Sequence, residues 1–315
     1  MADTIATSTL TPRANKEGTR VAVRQFKITD IPDAMRKMNW PVAAALMDHW
    51  FDGKPWDTED GGMPKLAKER KQPVSPQYID NSIVKMQWLL QFPQAKEMFK
   101  QLEGGWNNPD AQNLMRDRFD SHFGDIKEGV REVGFGADTQ QADKFKYFNS
   151  RTYNFDLVGG GIDELRGALG DFTMKVIAEG SLRISEFEYV FCPVRLGFYI
   201  DDTYDFIDGA ITPSQPLGFW NFNGLAMSVT EALATNLSID SQSLLLAGQS
   251  MVKSQSDLDQ KFKDIATDRY FLVRNKDFQT YRKKFGRGGD FKIYSNIFYQ
   301  PAPKAPIVLG RKYAS

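Results

Sequence analysis

The chain is poor in cysteine and histidine. Cys192 is the only cysteine among 315 residues, which excludes an intramolecular disulfide and a zinc cage built from several thiolates. The two histidines, His49 and His122, are not accompanied by the Gly-x-Ser-x-Gly motif of α/β-hydrolases. Cys192 follows Phe191 in a predicted strand, and we expect it to be an inert thiol of the core.

The sequence also lacks an excess of charge and a long hydrophobic run. Forty basic residues balance forty acidic ones, so a broad electrostatic surface for nucleic acid is not expected. No apolar run approaches the ~20 residues of a membrane-spanning helix. The first residues lack the basic and apolar blocks of a cleaved signal peptide. We therefore expect synthesis in the cytoplasm and, for any action in a target cell, export without a cleaved signal.

Apolar and aromatic residues are abundant, at 41% and 13% of the chain, and can build a large core. Amphipathic patterns that often begin at proline dominate the first part of the sequence, and one such helix is expected to begin at Pro76. Alternating strands with short connections follow. We predict an α+β fold in which an N-terminal helical part packs on an antiparallel β-sheet, with additional C-terminal helices and a final strand.

The same patterns divide the chain into segments. Small polar residues at the start predict a mobile tail, and the prolines and lysines at the end predict another. The predicted segments are a tail at 1–20, a helical part at 21–140, an antiparallel sheet with inserted helices at 141–300, and a C-terminal tail at 301–315. Residues 21–300 could also form one compact unit, and the sequence leaves both divisions open.

Residues 196–220 combine an alternating strand, an acidic segment and an aromatic segment. Four aspartates follow the strand closely, with aromatic residues between them. Closely spaced carboxylates can perform acid–base chemistry or bind a divalent cation through oxygen ligands. The alternative is that the aspartates cap a turn through their own backbone. The candidate catalytic residues are Asp202, Tyr204 and Asp205, and a divalent cation is the cofactor that they would bind.

Trp220 ends the same stretch, after a Pro-Leu-Gly corner. A side chain of this size is most stable when its apolar body is buried. We therefore predict that Trp220 is a buried structural anchor whose neighbours include the strand that carries Phe198.

A basic helix followed by a glycine-rich turn is the second candidate site. The predicted helix 275–285 ends in basic residues, and three glycines follow it closely. Backbone N–H groups of such a turn, next to basic side chains, can hold a phosphate. The alternative is a solvated helix followed by a tight turn. The candidate ligand-binding residues are Arg282, Lys284, Arg287, Gly288, Gly289 and Asp290.

Three segments together resemble a proteobacterial domain family of unknown function. They are residues 31–50, residues 202–206 with 217–220, and residues 275–291. Members of that family are associated with type VI secretion and polymorphic-toxin loci. Residues 202–206, Asp-x-Tyr-Asp-Phe, are also similar to the core of the colicin M signature. That signature continues with an essential histidine, whereas no histidine follows His122 here.

The resemblance implies an interbacterial toxin or effector that is delivered by type VI secretion, with the cell envelope as its expected target. The alternative is a non-enzymatic adaptor, chaperone or immunity-like protein that binds such a toxin. The implied partners are components of the secretion machine or a co-encoded toxin or immunity protein, and no nucleic acid is expected. The sequence does not decide whether the chain is an enzyme.

Overall fold

The computed structural model of the chain describes residues 24–155, 163–208, 214–248 and 255–311. The tail predicted at residues 1–20 lies outside these ranges. Helices and strands are both abundant in the described residues, and the predicted α+β class is confirmed.

The chain forms two compact units, and each unit is made of two separated parts of the sequence. Unit 1 comprises Met1–Pro64 and Asp205–Asp290, and unit 2 comprises Lys65–Tyr204 and Phe291–Ser315. The change from helix to sheet that we expected near residue 140 therefore falls inside unit 2. Each unit combines helices and strands of its own.

The helices follow the predicted pattern closely where proline begins them. In chain order they are α1 (Ile31–Lys37), α2 (Pro41–Asp52), α3 (Lys65–Lys68), α4 (Met86–Leu89), α5 (Pro93–Gly105), α6 (Pro109–Phe123), α7 (Thr139–Phe145), α8 (Glu164–Leu169), α9 (Val229–Gly248), α10 (Gln255–Thr267) and α11 (Asn275–Phe285). Proline occupies the first turn of α1, α2, α5 and α6, where its missing N–H is not needed. None of the helices in the described ranges has the length and apolar character needed to cross a membrane.

The strands are β1 (Ile79–Asp80), β2 (Gly129–Val133), β3 (Asn149–Tyr153), β4 (Phe172–Ile184), β5 (Glu188–Tyr204), β6 (Pro216–Asn221), β7 (Gly224–Leu225), β8 (Phe271–Arg274), β9 (Phe291–Tyr294), β10 (Phe298–Pro301) and β11 (Ile307–Gly310). Those of unit 1 form a three-stranded sheet in the order β7-β6-β8. The eight strands of unit 2 that the structure describes share a larger sheet.

Two long antiparallel strands, β4 and β5, form the centre of the larger sheet. Strands β2 and β3 pair with the other edge of β4. Strands β11, β10 and β9 pair in turn along the other edge of β5. These pairs are antiparallel, as predicted, but β1 runs parallel to β9. The sheet is therefore mixed at one edge.

Aromatic side chains attach two helices to this sheet. The ring of Phe99 in α5 lies 4.5 Å from that of Phe198 in β5, and the ring of Phe119 in α6 lies 5.3 Å from that of Phe191. Phe119, Phe191 and Phe198 are fully buried. Burial of each such side chain is worth roughly 1.5–3 kcal/mol relative to exposure. The core of unit 2 therefore lies between these helices and the two long strands.

A β-bulge changes which side chains of β5 are buried. The register of β4 and β5 shifts between Glu179 and Gly180, and Val194 has no partner in β4 as a result. Val194 is exposed, whereas Leu196 is buried. Cys192 is exposed as well, because the alternation of the strand turns it outward between two buried neighbours. Our expectation of a core thiol at Cys192 is wrong for this reason.

The C-terminal tail predicted at residues 301–315 is in part a strand. Residues Ile307–Gly310 pair with β5, and Ile307 and Leu309 are buried on one face. Four alternating residues among prolines and lysines give too short a pattern to predict a strand. Residues 312–315 lie outside the described ranges.

The helix expected to begin at Pro76 is replaced by one short 3-10 turn and strand β1. The Asp80 carboxylate accepts hydrogen bonds from the backbone N–H groups of Ser82 (3.0 Å) and Ile83 (2.8 Å). An aspartate that bonds to nearby backbone groups competes with the helical hydrogen bonds. Pairing with β9 then fixes this segment as extended chain.

The core of unit 1 is built around Trp50 of α2. Its indole ring lies 5.0 Å from the ring of Phe206 and 5.2 Å from that of Phe278 in α11. Phe206 and Phe278 stack on each other at 3.8 Å. Such aromatic pairs add about 0.5–1.5 kcal/mol each beyond the burial of their area.

Trp220 lies in β6 and is buried, as a structural anchor requires. Its indole N–H donates to the carbonyl oxygen of Leu217 at 3.1 Å. Its strand neighbours are Leu225 of β7 and Phe271 of β8. We predicted that the strand carrying Phe198 would be a neighbour of Trp220. That strand does not pair with β6, because β6 belongs to the three-stranded sheet and not to the sheet that contains Phe198.

We expect Gly288→Ala to lower the free energy of unfolding by roughly 3 kcal/mol, from left-handed backbone strain and overpacking together. Gly288 has φ +99°, and a Cβ there would lie 2.4 Å from Cη2 of Trp50. Gly286 has φ +62° but has no atom within 4 Å of its Cβ position, so Gly286→Ala should cost only about 1 kcal/mol. Urea unfolding of both variants measures the difference, and equal costs would contradict the predicted clash with Trp50.

Candidate functional site

The acidic segment, for which the sequence left a catalytic site and a capped turn open, begins as the end of a long strand. Residues 201–204 of β5 pair with β9, which extends the strand through Tyr204. Tyr204 is buried and its ring stacks on that of Phe291 at 5.3 Å. Asp202 is half-buried, and its Oδ1 accepts the N–H of Thr203 at 2.7 Å. Asp205 follows the strand and is counted in unit 1.

The glycine-rich turn after α11 is held by internal hydrogen bonds of unit 1. The N–H of Gly288 donates to the carbonyl of Gly53 at 3.0 Å, and the N–H of Gly289 donates to that of Trp50 at 2.9 Å. Both donors that the predicted phosphate site would use are therefore occupied by protein carbonyls. Of the predicted ligands, Lys284 and Arg287 are exposed, and Arg287 pairs with Asp52 at 2.7 Å.

Arg282 and Asp290 form a buried ion pair next to this turn. Arg282 Nε also donates to the carbonyl of Gly288 at 2.8 Å. Asp290 accepts hydrogen bonds from the indole N–H of Trp50 (2.9 Å) and the backbone N–H of Met63 (3.0 Å). Burial raises the pKa of Asp290, and the positive charge of Arg282 opposes that rise. This arrangement ties α2, α11 and the turn together and gives Arg282 and Asp290 a structural role.

A second group of buried charges lies in unit 2, and we call it the buried charged cluster. It contains three cations and two carboxylates, which come from the turn after α3 and from α7, β4, β5 and β9. Its members are Arg70, Asp143, Lys175, Asp201 and Lys292. Lys175, Asp201 and Lys292 expose no more than 4% of their side chains.

Strand register explains how the cluster forms. Lys175 of β4 pairs with Tyr199 of β5, and Asp201 is two residues further along the same face. On the other side of β5, Asp201 pairs with Tyr294 of β9, and Lys292 is two residues before Tyr294. Diagonal neighbours of this kind are within reach of long side chains. The sheet therefore places Lys175 and Lys292 on either side of Asp201.

The ammonium group of Lys175 lies between two carboxylates. Its Nζ is 2.6 Å from Oδ2 of Asp201 and 2.9 Å from Oδ1 of Asp143, which belongs to α7. Lys292 Nζ lies 2.8 Å from Oδ1 of Asp201. Arg70 Nε is 3.1 Å from Oδ2 of Asp143, and its Nη2 contacts Asp201. Each carboxylate thus faces at least two cations.

Burial lowers the pKa of Lys175 to about 7, although Asp143 opposes that effect. The positive charges of Arg70 and Lys292 act on this pKa in the same direction as burial. This pKa places the loss of the Lys175 proton close to neutral pH, and once the amine is neutral the remaining two cations balance the two carboxylates. Strongly shifted pKa values of this kind are concentrated at functional sites.

Two tyrosine hydroxyls complete the cluster. Tyr199 donates to Oδ1 of Asp143 at 3.2 Å, and Tyr294 donates to Oδ2 at 3.4 Å. Burial, together with the charge of Asp143, raises the pKa of both tyrosines. Both hydroxyls therefore keep their protons at neutral pH and remain hydrogen-bond donors.

Solvent reaches the cluster on the side of Arg70. The Arg70 side chain is 39% exposed, whereas those of Asp143 and Lys175 are 6% and 2% exposed. Tyr147, whose ring centroid is 5.2 Å from Lys175 Nζ, is half-buried. Within the described residues, no group of three or more His, Cys, Asp or Glu side chains is placed to hold a metal ion.

The sequence pointed to Asp202 and Asp205 but missed the carboxylate between the two lysines. Asp201 differs from them by lying on the buried face of the strand. For Lys175 the sequence does indicate a buried and paired charge, since it is the single charged residue in the apolar segment 172–178. A lysine almost never lies fully buried without a partner. Asp143 and Arg70 gave no such signal, because their contacts depend on the tertiary fold.

The fold and the cluster define an α+β protein with a buried lysine–carboxylate site beneath one partly exposed arginine. The chain belongs to a family of unknown function, DUF6402, whose model matches residues 26–309. No curated protein and no solved structure matches the chain.

Proposed function

We propose that the protein is an interbacterial effector, delivered by type VI secretion, that acts as an enzyme through the buried charged cluster. The delivery route is suggested by the resemblance of residues 31–50, 202–206 with 217–220, and 275–291 to a family associated with such loci. The observation that carries the enzymatic role is Lys175, an amine whose pKa burial lowers to about 7 between two carboxylates. A group with a pKa near the working pH is the most efficient proton acceptor.

The chemistry that fits this geometry is proton abstraction by the neutral Lys175 amine. The ammonium that forms is stabilised at once by Asp143 and Asp201, at 2.9 and 2.6 Å. Tyr199 and Tyr294 remain protonated and keep the Asp143 carboxylate in place through their hydrogen bonds. Arg70 must move aside for a substrate to reach Lys175, because Lys175 itself is almost fully buried.

Growth arrest of a susceptible bacterium tests this proposal. The chain is expressed separately in the cytoplasm and in the periplasm, and arrest is expected in one of them. Lys175→Arg keeps a cation between the aspartates but cannot be deprotonated near neutral pH. We therefore expect Lys175→Arg to abolish the arrest while the purified variant keeps the wild-type circular dichroism spectrum.

Lys100→Arg is the matched control, because Lys100 is an exposed lysine of α5 that lies outside the cluster and outside the segment that carries Arg70. That variant should arrest growth like the wild type. Full arrest by a folded Lys175→Arg variant would show that deprotonation of Lys175 is not needed. No arrest by the wild type in either compartment would argue against a toxin.

An exposed apolar stripe on α9 favours a second candidate function, a non-enzymatic partner of a secreted toxin. Val229, Leu233, Leu237 and Leu245 follow the spacing of one helix face, and each is more than half exposed. Exposed apolar stripes of this kind are typical of surfaces that bind other proteins. Stable co-purification with a co-encoded protein, together with absence of growth arrest, would support this candidate over the enzyme.

A further inference from the structure

The segment that carries Arg70 is strongly basic. Residues 65–71 contain four basic side chains and one acidic side chain, Glu69. Glu69 pairs with Lys71 at 2.7 Å and with Lys65 at 3.6 Å, and both lysines remain more than 60% exposed. The segment that carries Arg70 therefore has an excess of positive charge, although the whole chain is neutral.

The backbone of Arg70 has a conformation that usually belongs to glycine. Arg70 follows α3 with φ +57°, and the N–H of Lys71 donates to the carbonyl of Leu66 at 2.8 Å. The N–H of Arg70 donates to the carbonyl of Ala67 at 3.2 Å, which completes a Schellman motif. Glycine is favoured at this position because a Cβ is strained there. An arginine at this position is consistent with a required role of its side chain.

The guanidinium group of Arg70 uses only one of its edges to contact the cluster. Nε faces Asp143 and Nη2 faces Asp201, and neither contact uses Nη1. With 39% of the side chain exposed, Arg70 can bind a second group on its solvent side. A planar guanidinium binds carboxylate, phosphate and sulfate groups through pairs of N–H donors.

We propose that Arg70, supported by Lys65 and Lys71, binds a tetrahedral oxyanion of the substrate at the solvent side of the buried charged cluster. This inference rests on the proposed function of the cluster and adds a substrate class, a molecule that carries a phosphate-like group. The bound oxyanion pairs with Arg70 and weakens its hold on Asp143 and Asp201. Binding of the anionic group thereby opens the path to Lys175.

Binding at Arg70 should be linked to protonation of Lys175. Burial is the main cause of the low pKa of Lys175, and the charge of Arg70 lowers it further. An oxyanion on Arg70 offsets that charge and should raise the pKa of Lys175, so that a proton is taken up. The charged and titratable groups that face Lys175 are Arg70, Asp143, Tyr147, Tyr199, Asp201, Lys292 and Tyr294.

Calorimetric titration with sodium sulfate at pH 7 tests the inference on the full chain. Sulfate carries no proton that titrates near neutrality, so any proton uptake belongs to the protein. We expect saturable binding whose heat differs between two buffers of different ionisation enthalpy, in the direction of proton uptake. Loss of one charge-assisted contact in Arg70→Gln should weaken binding about tenfold.

Arg151→Gln is the matched control, because Arg151 is an exposed arginine of β3 outside the basic segment. That variant should bind sulfate like the wild type. The double variant Lys65→Gln/Lys71→Gln alters only exposed side chains, so it stays folded, and it should weaken binding about threefold. Unchanged binding in both Arg70→Gln and the double variant would overturn the inference, as would absence of sulfate binding to the wild type.

Two further titrations identify the source of the oxyanion. Pyrophosphate represents a soluble phosphate, and vesicles of phosphatidylglycerol with phosphatidylcholine represent a lipid headgroup, against phosphatidylcholine alone. Arg70-dependent binding of either probe supports the inference. If neither probe binds, the inference is overturned. Arg70-dependent binding together with full toxicity of Lys175→Arg would keep this site and contradict the enzymatic proposal alone.

Discussion

Asp290→Ala is expected to lower the free energy of unfolding by about 4 kcal/mol. The change leaves the buried Arg282 guanidinium without its counter-ion, which typically costs 3–5 kcal/mol. It also removes the acceptor of the Trp50 indole N–H and of the Met63 N–H, both in buried surroundings. Urea unfolding followed by circular dichroism measures the loss.

Arg287→Ala is the control for this prediction. Arg287 lies three residues before Asp290 in the sequence and pairs with Asp52, but both side chains of this pair are more than half exposed. An exposed pair of this kind contributes about 0–1 kcal/mol, so the control should change stability very little. If Asp290→Ala costs no more than Arg287→Ala, the buried ion pair does not organise unit 1 as we infer.

The stability of the wild type should rise by about 1.4 kcal/mol per pH unit between pH 7.5 and 9.5, and Lys175→Met should remove this slope. The pKa of Lys175 is about 7 in the folded state, whereas a lysine in an unfolded chain titrates near 10.4. Between these values the unfolded state binds one more proton, so raising the pH favours the folded state. Well below pH 7 both states are protonated and the contribution of Lys175 is constant.

Urea unfolding of the wild type and Lys175→Met at pH 7.5, 8.5 and 9.5 gives the two slopes. The comparison stops below pH 10, because the raised pKa values of Tyr199 and Tyr294 make the folded state lose stability once unfolded tyrosines ionise. Lys65→Met, at an exposed position, should keep the wild-type slope. Equal slopes in all three proteins would mean that Lys175 stays charged throughout this range.

Local signals were enough to predict several elements of the fold. The helix predicted at 275–285 matches α11, because Asp277 accepts the N–H of Arg274 at its start and Gly286 adopts the left-handed conformation at its end. Alternation located β4 and most of β5. In each of these cases the determining contacts join residues that are close in sequence or on one face of a strand.

Features that depend on contacts between distant parts of the chain could not be predicted from the sequence. The buried charged cluster needs Lys175 opposite Tyr199, and a slip of one residue would turn Lys175 to the other face. The pattern of β5 does not specify the bulge at Val194 or the pairing with β9 that converts the acidic segment into strand. The glycine turn similarly depends on the carbonyls of Trp50 in α2 and of Gly53 just after it, which are distant in sequence.

The interleaved units have a consequence for how the chain folds during synthesis. One edge of β5 is covered by β9, β10 and β11, which lie after Asp290. Until residues 291–311 leave the ribosome, that edge stays open, and an unpaired strand edge is a template for aggregation. Lys292 is in the same late segment, so Asp201 also lacks one of its cations until then. A nascent chain that stops at Asp290 would therefore expose an unpaired edge of β5 and be prone to aggregation.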